Sequence, residues 1–144
     1  MWILGPLAAW GLAVAVYDVR QRRVPNILLI LLGVPALLAL VVNRQGLLGA
    51  GIWESLGGLA LGAAPLLAGY LIRQVGAGDV KLSGLQGFIL GAAGACEALL
   101  ISGVVLGFMS LFAMLRRNRG APEVRLPAAL ALVVGFVATI LVDH

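Results

Sequence analysis

Two aspartates stand where carboxylates are costly. In "YDVRQRRVPN" Asp18 closes an apolar run that begins near Trp2, and in "GAGDVKL" Asp79 opens another. An ionised side chain at mid-bilayer costs about 2.5–3.5 kcal/mol on insertion scales, and less toward the interface. The dipole of the following helix favours Asp79, which falls in its first turn. Asp18 has no such support, because it lies at the C-terminal end of its helix, where the dipole disfavours negative charge. Something outside that helix must hold it. Two carboxylates brought face to face would hold one proton between them, since like charges so close do not both ionise cheaply. That state suits peptide hydrolysis: one carboxylate takes a proton from water, and the other donates to the amide carbonyl.

The flanking residues repeat a pattern. Arg20 follows Asp18 at i+2, and Lys81 follows Asp79 at i+2. On a helix such pairs point to nearly opposite sides, so each base can snorkel to the headgroups while its aspartate faces the bundle. Gly76 and Gly78 would let the backbone before Asp79 leave helical geometry and admit another chain. Pro25-Asn26 opens the next apolar run, with Asn26 placed as an N-cap.

The elements around these residues follow from composition. Of 144 residues, 62% are hydrophobic and 11% charged, which identifies an all-α integral membrane protein. One cysteine and one histidine exclude a disulfide framework and a zinc cluster. No cofactor or metal is expected. The net charge of +4 fits basic cytoplasmic loops in such a chain, so nucleic acid is not expected as a partner. A spanning helix needs about 20 mostly apolar residues. Six runs qualify: Trp2–Val19, Ile27–Val42, Ile52–Ile72, Asp79–Ala95, Cys96–Leu115 and Leu126–Val142. Pro65, inside the third, requires that neighbours satisfy a freed carbonyl. No basic region precedes the first run and no cleavage site follows it, so it is expected to be retained. Short connections predict one transmembrane domain over residues 1–144.

Charge orients the bundle. Arg20, Arg22, Arg23, Arg73, Lys81, Arg116, Arg117, Arg119 and Arg125 follow odd-numbered spans, and only Arg44 lies on the other side. The positive-inside rule then puts both termini outside and both aspartates at the cytoplasmic ends of their helices. Glu54, Glu97 and Asp143 fall on the outer side at headgroup level, and Glu123 is the other cytoplasmic acid. Packing signals accompany this order. Ser83, Gly87, Gly91 and Ala95 form a small-residue stripe, with Gly58/Gly62 and Gly103/Gly107 at the same spacing, as close helix contact in a membrane requires.

With these residues in place, the chain resembles the type IV prepilin peptidases, intramembrane aspartic proteases of the GxGD group. Their D-x-R-x-x-x-I-P-N pattern is met at Asp18, Arg20, Pro25 and Asn26, with Val24 in the Ile position. Their G-x-G-D-x-K pattern is met at Gly76, Gly78, Asp79 and Lys81. The number, order and orientation of spans also agree. The resemblance implies that Asp18 and Asp79 are the catalytic pair. It implies as substrate a pilin-like precursor whose basic leader is removed at the cytoplasmic face, just before its hydrophobic helix. It implies a cytoplasmic (inner) membrane of a prokaryote. The size fits the small branch serving Flp/Tad pili or the prearchaellin-type peptidases. Larger members carry a cytoplasmic insertion with two cysteine pairs and also N-methylate the product; this chain has only Cys96 and no insertion, so methyl transfer is not implied. The last span begins with "RLPAALAL", Pro127 standing without a following glycine.

Two other readings compete. Presenilin-like proteases share a Tyr-Asp, here Tyr17-Asp18, and a GxGD, but need more spans and a Pro-Ala-Leu after it; Pro35–Leu37 precedes it. A small proton-coupled carrier or channel subunit could use both aspartates as a relay, yet neither an internal repeat nor a mid-membrane polar cluster accompanies them. The orientation is checked by cysteine labelling in a Cys96→Ser background. Arg117→Cys should react with an impermeant reagent only from the cytoplasmic side and Gln45→Cys only from outside.

Overall fold

The computed structural model describes residues 4–21, 25–73, 75–116 and 128–143. The expectations placed on Trp2, Arg22, Arg23 and Val24, on Arg117, Arg119, Glu123 and Arg125, and on Leu126 and Pro127 lie outside the described residues. The described chain is helical: α1 (Leu4–Gln21), α2 (Asn26–Asn43), α3 (Ile52–Leu71), α4 (Ala77–Arg116) and α5 (Ala128–Asp143). Among the described residues three stretches are long and apolar enough to cross a membrane: Asn26–Asn43, Ile52–Leu71 and Ala77–Leu115. α1 ends in the polar turn Asp18–Gln21, and α5 contains the shorter apolar helix Ala128–Val142.

The expected fourth and fifth spans are joined as α4, which is broken at Gly91 (φ 78°, ψ −179°). Only glycine occupies that backbone region readily. The division expected between Ala95 and Cys96 is therefore corrected to Gly91, where conformation rather than hydropathy ends the helix. The bend is sharp. In an unbroken helix residues 87 and 95 would be about 12 Å apart along the axis, yet the Ala95 side chain lies 3.3 Å from where a Cβ on Gly87 would stand.

The bundle consequently has two ends. Gly91 meets Ala50 and Glu54, and the same end gathers Leu48, Gly49 and Ile140. The opposite end gathers the close of α1 and the starts of α2, α4 and α5, where Asn26 contacts Lys81 and Ala129 faces Asp18. At the first end the Gly51 N–H donates to Glu54 Oε2 at 3.0 Å, capping α3. Between the ends runs an apolar core in which Leu7, Trp10 and Val14 of α1 meet Leu82 and Ile89 of α4 and Phe136 of α5. Trp10 and Phe136 pack edge to face at 6.2 Å.

The α3–α4 seam is built from glycine. A Cβ on Gly58 would collide with the Gly87 carbonyl and sit 2.7 Å from the Gly91 carbonyl carbon, and one on Gly62 would strike the Ser83 carbonyl. The expected stripe on α4 thus faces the Gly58/Gly62 pair, except that Ala95 folds back onto Gly87. The Ser83 hydroxyl donates to the Gly62 carbonyl at 2.7 Å, one turn before Pro65. Gly103 and Gly107, by contrast, have nothing within 4 Å of an added Cβ, so the spacing there has no packing partner within the described fold.

This contrast gives a stability test. Gly58→Ala should destabilise the folded protein by about 1–3 kcal/mol through overpacking. Gly103→Ala should be neutral or stabilising by up to about 1 kcal/mol, from helix propensity. Reversible unfolding in mixed micelles measures both.

Candidate active site

Asp18 is 6% exposed, at the last turn of α1 on the stripe that carries Leu7, Trp10 and Val14. Its partner is the N-terminus of α5, where the backbone N–H of Ala129 faces the carboxylate. The first amides of a helix have no intrahelical acceptor and carry the positive end of its dipole. The α5 terminus therefore supplies what α1 cannot. Among the described residues, buried Asp18 Oδ2 has no hydrogen-bond partner.

Asp79 is half-buried in the first turn of α4. Gly76 is the residue just before the helix; its carbonyl accepts from the Asp79 and Val80 N–H groups at 3.1 and 3.4 Å. Its own N–H serves the Asp79 carboxylate. A Cβ on Gly76 would stand 3.3 Å from Asp79 Oδ2, so glycine leaves the carboxylate room to fold back over the amide. The expectation that both glycines depart from helix is corrected for Gly78. Helix α4 already begins at Ala77, and among the described glycines only Gly49 and Gly91 have positive φ.

The two aspartates come together: Asp18 acts electrostatically on Asp79 across the end of the bundle. Lys81 joins the two sequence motifs, its Nζ donating to Asn26 Oδ1 at 3.4 Å. Asn26 is therefore not the N-cap. α2 starts at Asn26 itself, Pro25 occupies the cap position, and no side chain caps the helix. Its amide is turned to the lysine instead. Arg20 is exposed, in keeping with the i+2 geometry.

Two buried polar groups near this end of the fold had no signal in the motifs. One is the Ala129 amide, a backbone group that no residue type announces. The other is Gln86, 3% exposed, with Nε2 buried and unpartnered. It follows Asp79 by two turns on the same face of α4, and a polar residue within "LSGLQGFIL" was its visible trace.

A family model described as the type IV leader peptidase family matches residues 6–111, a range that contains both aspartates and both motifs. No curated protein matches, and no solved structure matches.

A buried carboxylate oxygen without a partner works against folding. Asp18→Asn, which keeps the shape and removes the charge, should therefore leave thermal stability in detergent unchanged or raised. A fall of several degrees would mean that the charge serves the fold.

Proposed function

Because the chain belongs to the type IV leader peptidase family, we propose that it is an aspartic endopeptidase that removes the basic leader of a pilin-like precursor at the cytoplasmic face of a prokaryotic inner membrane. A multi-pass membrane peptidase with a protein substrate is what family and apolar helices together give; the mechanism, face and substrate are our reading. The observation that carries it is the meeting of Asp18 and Asp79, from two helices, at the bundle end where Lys81 and Asn26 also meet.

In this mechanism the carboxylates hold one proton. The ionised member takes a proton from a water molecule as that water attacks the scissile carbonyl carbon, and the protonated member donates to the carbonyl oxygen. Collapse of the tetrahedral intermediate returns a proton to the leaving amine and breaks the C–N bond. Asp18 Oδ2 is a candidate acceptor for the water, because no group of the described residues bonds to it. The Ala129 and Gly76 amides orient the carboxylates, each reaching one of them from a helix start. Arg20, Pro25, Asn26, Gly76, Gly78 and Lys81 support the pair rather than react.

The six-span topology is part of the proposal. As one straight helix the 40 residues of α4 would run about 60 Å, twice a hydrocarbon core of about 30 Å. Split at Gly91 they make two crossings. The carboxylate end then lies on the side of the basic loops, and residues 1–144 form one transmembrane domain.

Incubation with a pilin-like precursor in detergent or proteoliposomes tests the assignment. Asp18→Asn and Asp79→Asn should each reduce cleavage at least about a hundredfold, with the proteins inserted and folded as before. Substantial turnover by either variant would remove that aspartate from the reacting pair.

A further inference from the structure

From the carboxylate end of the bundle a groove of about 440 Å³ runs between α2 and the first half of α4. Its mouth is the hydrogen-bonded pair Asn26 and Lys81, and its walls are apolar, from Ile30, Val34 and Leu37 of α2 to Leu85 of α4. We infer that this groove receives the apolar membrane helix of the precursor, with the scissile bond held at its Asn26–Lys81 mouth. The inference rests on the leader-peptidase reading above and adds to it where the substrate lies.

Continuity selects the occupant. A polypeptide held at Asp18 and Asp79 and continuing into the bilayer must leave the site along a seam open both to the site and to lipid. The α2–α4 seam starts at the carboxylate end, where the first turns of α2 and α4 meet through Asn26 and Lys81, and its α2 wall is 60% exposed at Ile30, 50% at Val34 and 55% at Leu37. These three residues recur at i, i+4 and i+7, a single stripe along one face. From Asn26 to Leu37 the groove is about 16 Å deep, roughly half of a hydrocarbon core of about 30 Å. It can therefore follow a helix from the interface to mid-bilayer.

Gly33 lies between Ile30 and Leu37, with the Leu85 Cδ1 3.6 Å from where its Cβ would be. The missing side chain leaves a notch into which a side-chain ridge of a second helix fits, as in close helix packing in membranes. At the mouth, Asn26 keeps an amide donor free of the lysine bond. An unwinding segment, whose backbone groups lose their helical partners before cleavage, finds a hydrogen bond there. A lipid acyl chain needs neither the notch nor the donor.

The experiment has two arms. A photoreactive amino acid is placed at Val34, and separately at Phe108, which is 70% exposed on the second half of α4 away from the groove. Both are made in the Asp79→Asn protein and irradiated with the full-length precursor in proteoliposomes. Adducts to the precursor's apolar segment should form at Val34 and be at least tenfold weaker at Phe108. In the second arm, Gly33→Leu in the otherwise unaltered protein should raise KM for the precursor at least tenfold with little change in kcat. Gly103→Leu, which adds the same bulk in open space, should not.

Adducts to phospholipid alone at Val34, or equal adducts at both positions, would overturn the groove assignment. So would normal KM in a folded Gly33→Leu protein; should that variant fail to fold, the cross-linking arm decides. If the unaltered protein leaves the precursor intact, the leader-peptidase reading itself fails, and the groove assignment with it.

Discussion

A carboxylate enclosed in apolar helices without a cation constrains everything around it. Among the described residues neither Asp18 nor Asp79 makes an ion pair, and Asp18 is nearly fully buried. Burying an ion costs several kcal/mol, whereas a helix terminus returns about 0.3–1 kcal/mol, or up to about 2 in a partly buried geometry. The bundle therefore brings two helix starts to one place, α4 beneath Asp79 and α5 against Asp18. These do not cover the whole cost. The proposed mechanism, in which the two carboxylates exchange a proton, is served by that shortfall, since full satisfaction by arginine or lysine would fix both as anions.

This arrangement makes Gly91 a requirement of topology. α1 ends at the carboxylate end, α2 leaves it, α3 returns and α4 leaves again. Without the reversal at Gly91, α5 would start at the far end of the bundle, and Ala129 could not face Asp18. One residue with φ 78° thus decides whether the buried carboxylate has a hydrogen-bond donor. The same residue presses against the Gly58 position, so the turn and the α3–α4 seam are one structure. Close contact of Gly58 with Gly87 and of Gly62 with Ser83 sets α3 against α4, and with it the short connection that delivers Asp79. Lipid tails are as apolar as leucine, so dispersion contact and the Ser83–Gly62 hydrogen bond hold this seam.

Much of this was legible in the sequence, and the parts that were not share a cause. Helix existence and extent follow from apolar runs: α2, α3 and α5 begin and end within about two residues of the expected spans, as hydropathy allows. The two aspartates stood out because acids are scarce in such a chain. Where position depended on backbone conformation, residue type was ambiguous. Gly91 fits a packing stripe as well as a turn, and nothing in its neighbours separates the two. Gly78 looked like a helix breaker and lies in a helix. Asn26 has the side chain of an N-cap, but a lysine 55 positions later claims it. The Ala129 amide is invisible to any reading of side chains.

Lys81 and Asn26 also explain why α2 can lie beside the site while holding so little of the fold. α2 buries only Leu29, Ala36 and Leu40, and it is tied down at its first turn. There the Trp10 indole N–H donates to the Leu28 carbonyl at 2.7 Å, and Lys81 donates to Asn26. Both bonds engage the first turn of α2. Beyond that turn its outward face, from Ile30 to Val42, is apolar and uncovered. In lipid such a face carries no hydrophobic penalty, so α2 needs no partner there to remain folded. Its start is therefore held in register with Asp18 and Asp79, while its length is free to meet another helix. Under the proposed function, two hydrogen bonds at one end of this helix separate the precision that the chemistry would demand from the open flank that a membrane-borne substrate would require.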